Sequence, residues 1–272
     1  MSKFNDYKFR CSAIGKIVTA SGKLTDAAKT YLGELFIGEI YGVRKEAYGK
    51  ALEKGVFCEQ DGCGMIQETL LKGQLVLKNK ERKSNEFIHG ECDIFKNGTV
   101  YDVKNAYTLF SFGKAECSHE YRWQLIAYSW LWGAKNAVLY YCLNNLPEHM
   151  LEDEKRSLLW KNKWLYLTEE SPNYIEACKE LEAAHNYDKM PIEEKFKFWE
   201  ITPTKDDYEK IKSCVIQSRV YLNSLWVVHM ESISRNKKAM GLEPSVLIAH
   251  HDKEVNATII EPENILSKLI KL

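Results

Sequence analysis

Glu91, Asp93, Asp102 and Lys104 stand together in "HGECDIFKNGTVYDVKNA", residues 89–106. The stretch reads as two short strands joined by Asn97-Gly98, and both positions of a tight type I′ turn need positive φ, which Asn-Gly supplies. With that turn, Lys96 faces Thr99, Asp93 faces Asp102 and Glu91 faces Lys104. Side chains alternate along a strand, so these four share one face, while Cys92, Ile94, Tyr101 and Val103 share the other. Directly opposed residues have Cβ atoms about 4.5–5.5 Å apart, and like charges there repel. Two carboxylates that close either share a proton or hold a cation. A hard divalent ion such as Mg²⁺ takes oxygen ligands, using one or two carboxylates and leaving room for phosphate oxygens. Lys104 would then sit beside the metal as a fixed positive charge or proton donor. A solvated charged face on an exposed hairpin has the same pattern, so the hairpin alone does not decide.

Two neighbouring segments offer further polar groups. In "YRWQLIAYSWLWG", Gln124 and Tyr128 are four apart, hence on one helical face, where they could orient a water or meet a phosphate. An amphipathic core helix would look the same. Upstream, Glu59 opens a helical stretch, a place where a carboxylate is expected simply to complement the helix dipole.

These residues need a frame to hold them. Thr25 caps a helix-compatible run to Gly55, with Gly33, Gly38, Gly42 and Gly49 suggesting a break or close packing. Residues 59–72 read as a second helix. "GQLVLKNK", "NEFIHGECDIF" and "TVYDVKNA" read as strands. "SHEYRWQLIAYSWLWG" reads as a helix ending at Gly133, and "NAVLYYCLNN" as a buried strand. Residues 150–200 read as largely helical, with "KFKFWEIT" as a late strand and an amphipathic helix from Thr204. The order predicts an α/β fold, a mixed central sheet flanked by helices with the antiparallel hairpin carrying the acidic site.

Hydrophobic residues make up 45% of 272, enough for a sizeable core. Lys plus Arg equals Asp plus Glu at 38 each, which argues against a protein that coats polyanions generally and leaves room for a local basic groove. "LKNKERK" (77–83) and "SRNKK" (234–238) are the basic runs. The eight scattered cysteines form no CxxC pair and are expected to be reduced thiols. No 18-residue apolar run suggests a membrane span, and "MSKFNDYKFR" lacks a signal-peptide pattern, so a cytoplasmic location is expected (host cytoplasm if phage-encoded).

Taken in order, Glu59, Gly90-Glu91-Cys92-Asp93, Asp102-Val103-Lys104 and Gln124-x-x-x-Tyr128 resemble the PD-(D/E)xK nuclease superfamily. The pattern is most similar to its RecB-like branch and the phage lambda-type (YqaJ-like) recombination exonucleases. The resemblance spans about residues 8–145, with looser likeness beyond Pro203. Cys92-Asp93 stands where the family has Pro-Asp, and Asp102 where this branch has Glu. The resemblance implies a restriction-endonuclease-like core in one nuclease domain over 1–272, elaborated over about 150–272. It implies that Asp93, Asp102, the Val103 carbonyl and Glu59 hold Mg²⁺ or Mn²⁺. Lys104 would position or activate water, and Gln124 and Tyr128 would shape the site and hold the DNA backbone. Glu91, outside the motif, would support Lys104 from behind. "KFRCSAIGKIVTAS" resembles the opening of the phage group, making Arg10 and Ser12 candidates for a phosphate site, where an Arg fork suits the geometry.

The implied activity is a metal-dependent DNA exonuclease acting on double-stranded ends in phage or prophage recombination. DNA, a single-strand annealing protein and further copies of the chain in a ring are the implied partners. A restriction-type endonuclease carries the same motifs. The CRISPR-adaptation nucleases of this superfamily hold an iron–sulfur cluster on four cysteines, three of them near the C-terminus. Here Cys178 and Cys214 are far apart, so no iron–sulfur cluster is expected. A DNA-binding module on a degenerate nuclease scaffold is disfavoured because the acidic residues and Lys104 are all present.

Overall fold

The computed structural model of the protein describes residues 2–43, 49–162 and 171–242. The chain packs as two compact units. One falls within Phe9–Gly15 and Glu46–Ile211, the other within Met1–Lys8, Lys16–Lys45 and Lys212–Leu272. β1 (Phe9–Arg10) runs into a 3-10 turn, Cys11–Lys16. α1 (Asp26–Tyr41) starts where the Thr25 hydroxyl accepts from the Ala28 N–H, 3.2 Å away, and stops at Gly42, whose φ of +67° no longer continues a helix. The long first helix expected from the sequence is therefore broken there. α2 (Lys50–Phe57) and α3 (Glu59–Glu68) follow. The second helix ends at Glu68 rather than at residue 72: the Leu71 N–H already reaches back to the Ile66 carbonyl, out of the helical pattern, and Lys72 and Gly73 take positive φ.

Four strands come next: β2 (Lys83–Ser84), β3 (Ile88–Gly90), β4 (Ile94–Lys96) and β5 (Thr99–Asn105). After them come α4 (Leu109–Gly113), α5 (His119–Trp132), β6 (Asn136–Cys142), α6 (Glu148–Lys161), α7 (Pro172–His185), β7 (Phe196–Ile201) and α8 (Lys205–Ala239). Residues 243–272 lie outside the described residues.

The larger unit holds both sheets. The main one has the order β4-β5-β6-β7, with β5 and β6 parallel and both outer pairs antiparallel. The smaller has the order β1-β3-β2. The segment expected as one strand, "NEFIHGECDIF", thus splits between two sheets. "GQLVLKNK" is irregular rather than a strand. At its middle the backbone is met by side chains: the Val76 N–H donates to Gln67 Oε1 at 3.1 Å, and the Leu75 carbonyl accepts from the Lys96 ammonium.

Helices cover both faces of the main sheet. On one, Cys63 and Ile66 of α3 pack with Ile94, Tyr101, Val103, Val138 and Tyr140. The other is covered by α5, whose residues Trp123 to Ser129 are all buried. A strand covered on both sides reads as a continuous apolar run. The buried stretch Val100–Val103 of β5 follows that rule except at Asp102, which is 1% exposed. Beyond the strand, the wholly buried Lys54 of α2 donates to the Tyr107 and Asn144 carbonyls at 3.2 and 2.6 Å, tying together the chain ends that leave β5 and β6.

In the smaller unit the Phe4 N–H donates to Asn223 Oδ1 and Arg219 Nε donates to the Tyr7 carbonyl, each at 2.9 Å. Phe4 also packs on Phe36, with ring centroids 5.7 Å apart.

The two glycines of α3 differ in what a side chain would meet. A Cβ on Gly62 would lie 2.5 Å from Val103 Cγ1 and 3.2 Å from Cys142 Sγ, while one on Gly64 meets nothing within 4 Å. Both replacements gain the same helix propensity. Gly62→Ala should therefore be less stable than Gly64→Ala by about 1–3 kcal/mol in denaturant unfolding, the usual cost of overpacking. Equal stabilities would show that α3 does not press on β5 as described.

Candidate active site

The Asn97-Gly98 turn forms as the sequence predicts, with φ of +53° and +73°. Its register is Lys96–Thr99, Phe95–Val100 and Ile94–Tyr101. One more step would set Asp93 against Asp102, and the ladder stops before it. In a continued ladder Val103 would exchange both backbone hydrogen bonds with Cys92. Instead the Val103 N–H donates to Asp93 Oδ2 at 2.7 Å. The carbonyls of Asp93 and Cys92 accept from Asn79 instead, from its N–H at 2.7 Å and its Nδ2 at 3.0 Å. The N–H and C=O of a strand residue point to the same edge, so the Val103 carbonyl faces the gap that β4 leaves. The expected Glu91–Lys104 pairing is not made for the same reason. Glu91 is exposed, and its charge acts on Lys78.

Asp102 is fixed from the α5 side. Gln124 Nε2 donates to Asp102 Oδ1 at 2.9 Å and lies 3.3 Å from the Tyr128 hydroxyl. Gln124 and Tyr128 are 7% and 6% exposed. Their shared helical face is as expected, but they stand behind Asp102 instead of presenting their polar ends to a DNA backbone. Gly90 makes this fit possible: a Cβ there would lie 2.8 Å from Tyr128 Cε1 and 2.9 Å from Cys11 Sγ.

The Lys104 ammonium lies 2.5 Å from Asp102 Oδ2 and 5.4 Å above the Tyr121 ring. That oxygen is buried and accepts no well-directed hydrogen bond, so the close ammonium is what balances it. Burial opposes the Lys104 charge, yet Asp102 and Asp93 outweigh it and hold the ammonium above its ordinary range. Burial and the Asp102 charge push Asp93 up to about 7, against the pull of Lys104 and the Val103 N–H. Glu59, first residue of α3, adds to the negative field at Asp93 while its own carboxylate pairs with Lys78 at 2.6 Å.

The donor set fits a hard cation. It offers two crowded carboxylates, one with a buried oxygen lacking a directed hydrogen bond, a backbone carbonyl aimed at the same gap, and a third acid nearby. Among the described residues no three His, Cys, Asp or Glu side chains already form a closed cage. An ion here would complete its shell with water or phosphate, as Mg²⁺ commonly does.

Arg10 and Ser12 are exposed, on β1 and the turn after it, and lie outside the hydrogen-bond network of Asp93 and Asp102. In the basic run 77–83, Lys78 pairs with Glu59, Arg82 lies 3.0 Å from His89 Nδ1, and Lys83 lies 5.3 Å above the Trp132 ring. Asn79 was not singled out from the sequence. Its side chain looks like any loop Asn until Cys92 and Asp93 are seen to leave the ladder.

No family model matches the chain, and no curated protein matches it. Solved structures do. A phage-related exonuclease from Haemophilus somnus 129PT is 21% identical, with a TM-score of 0.64 over 82% of this chain and 97% of that one. An alkaline exonuclease (LHK-Exo) from Laribacter hongkongensis is 12% identical, with a TM-score of 0.53 over 87% and 96%. A structure of LHK-Exo in complex with dAMP gives 12% and 0.52 over 88% and 100%. The chain has the fold of the phage-type exonucleases. The mixed sheet and flanking helices expected from the sequence are those of this exonuclease fold.

Asp93 should make stability depend on pH when divalent ions are chelated. A carboxylic acid near 7 in the fold and near 4 when unfolded is a burden above pH 7 that is relieved as pH falls from about 7 toward 4. Denaturant unfolding in EDTA should show wild type gaining stability between pH 8 and 5 relative to Asp93→Asn, on the order of 1 kcal/mol per pH unit at the steepest. Parallel curves would rule out the crowding described.

Proposed function

We propose that the protein is a metal-dependent DNA exonuclease that hydrolyses phosphodiester bonds at double-stranded ends, in phage or prophage recombination. The observation that carries this is the convergence of Asp93, Asp102 and Lys104 at the edge where β4 leaves β5, with Gln124 fixing Asp102 from behind. The exonuclease fold of the structural neighbours supports it.

Asp93, Asp102 and the Val103 carbonyl would hold Mg²⁺ or Mn²⁺, with Glu59 reached directly or through water. Such an ion would supply Lewis-acid activation of the phosphate and acidify the attacking water. The chain supplies position and charge. Gln124 fixes the rotamer of Asp102, and the Val103 N–H fixes that of Asp93. Lys104 stays protonated and is set to orient water and meet negative charge developing on the phosphoryl oxygens. Arg10 and Ser12, both exposed, would engage a DNA phosphate. A single-strand annealing protein and a ring of identical subunits belong to the same proposal.

Assays with Mg²⁺ on linear duplex, nicked circle, closed circle and single strand test it. Linear duplex should be degraded and closed circles spared. Asp102→Ala and Lys104→Ala should each lose at least about a hundredfold in rate. Cleavage of closed circles would contradict the exonuclease mode, and full activity of either variant would contradict the site.

A further inference from the structure

The proposed site depends on β4 leaving the sheet at one particular residue. Side-chain sterics do not force this, since Ile94–Tyr101 is a regular pair and the hairpin turn favours continuing the register. Asn79 supplies an alternative set of partners at that point. Its N–H takes the Asp93 carbonyl and its Nδ2 takes the Cys92 carbonyl. The same Nδ2 donates to the Glu81 carbonyl at 2.9 Å, and Oδ1 accepts from the Glu81 N–H at 3.1 Å, so the amide is held rigidly at both ends. The residue before it, Lys78, pairs with Glu59. One dipeptide thus reaches the Asp93 backbone and the Glu59 carboxylate.

We infer that Asn79 is a positioning residue of the acidic site: it peels Cys92 and Asp93 from β5, so that the Asp93 carboxylate takes the Val103 N–H and the Val103 carbonyl is turned free for a ligand. Without the Asn79 amide, Cys92 can return to the ladder and compete for both Val103 groups. Asp93 then loses the hydrogen bond that sets its rotamer. The part that concerns a cation rests on the proposed nuclease site, while the part that concerns Asp93 and Val103 does not.

Two measurements on Asn79→Ala separate these parts. The first is amide hydrogen exchange at Val103 and Cys92 in EDTA, compared with wild type and with Asn85→Ala. Asn85 Oδ1 caps the Phe87 and Ile88 N–H groups nearby, so its variant loses local hydrogen bonds without touching the clamp. Val103 exchange should change at least about tenfold relative to its strand neighbours in Asn79→Ala alone. The second is Mn²⁺ affinity by calorimetry. Loss of a residue that orients a ligand typically weakens metal binding by about 10–100-fold, and that drop is expected in Asn79→Ala and not in Asn85→Ala. If Asn79→Ala does not fold, Asn79→Ser is used: its hydroxyl can still accept from the Glu81 N–H but is too short to hold Cys92. Unchanged Val103 exchange overturns the inference. Changed exchange with wild-type Mn²⁺ affinity overturns its link to the site. Changed exchange with no Mn²⁺ binding even in wild type supports the clamp and overturns the nuclease proposal instead.

Discussion

In an antiparallel ladder each hydrogen-bonded residue exchanges both backbone groups with a residue on the facing strand. At Val103 the N–H goes to the Asp93 side chain instead. That substitution needs Asp93 out of line with the strand, and Asn79 holds it there. It also needs β5 to stay straight, and β5 is kept so by seven paired residues along β6. The rigid strand presents Asp102 and Lys104, and the departing one presents Asp93.

Charge sets the second constraint. Asp102 is almost wholly buried, and its charge together with burial disfavours the ionised form of Asp93. Lys104 offsets part of this from 2.5 Å, and Gln124 uses its amide on the same acid. Glu59 is treated likewise by Lys78. The protein therefore carries lysines where a divalent cation would supply the same compensation, and a buried carboxylate oxygen still lacks a directed donor. A fold built for stability alone would place a hydrophobic residue at 102, as at 100 and 103. Sites where local folding rules fail in this way are expected where chemistry is done.

Much of this was legible in the sequence. The Asn-Gly turn fixed its own register because positive φ at two successive positions leaves few alternatives. Thr25 and Gly133 mark helix ends through capping and left-handed backbone, Gly42 is the one of four suspect glycines at which α1 stops, and α5 follows its apolar pattern. What was not legible depends on distant partners. "GQLVLKNK" has a strand-like apolar run, yet its Val76 N–H and Leu75 carbonyl go to the side chains of Gln67 and Lys96. Nothing local says that β4 ends at Ile94, since that depends on Asn79, fifteen positions upstream. The burial of Lys54 is equally silent, because its partners are carbonyls beyond two separate strands. The same reason explains Gln124 and Tyr128. Helical spacing put them on one face, but only the packing of α5 on β5 shows that they stand behind Asp102.

The central claim is that the Asp93 and Asp102 carboxylates together form a cation site at the edge where the strands part. Anomalous diffraction from crystals soaked in Mn²⁺ tests it most directly. One strong peak is predicted between the two carboxylates and beside the Val103 carbonyl, and it should vanish in Asp102→Ala. A peak elsewhere, or no peak at this edge at saturating Mn²⁺, would contradict the claim.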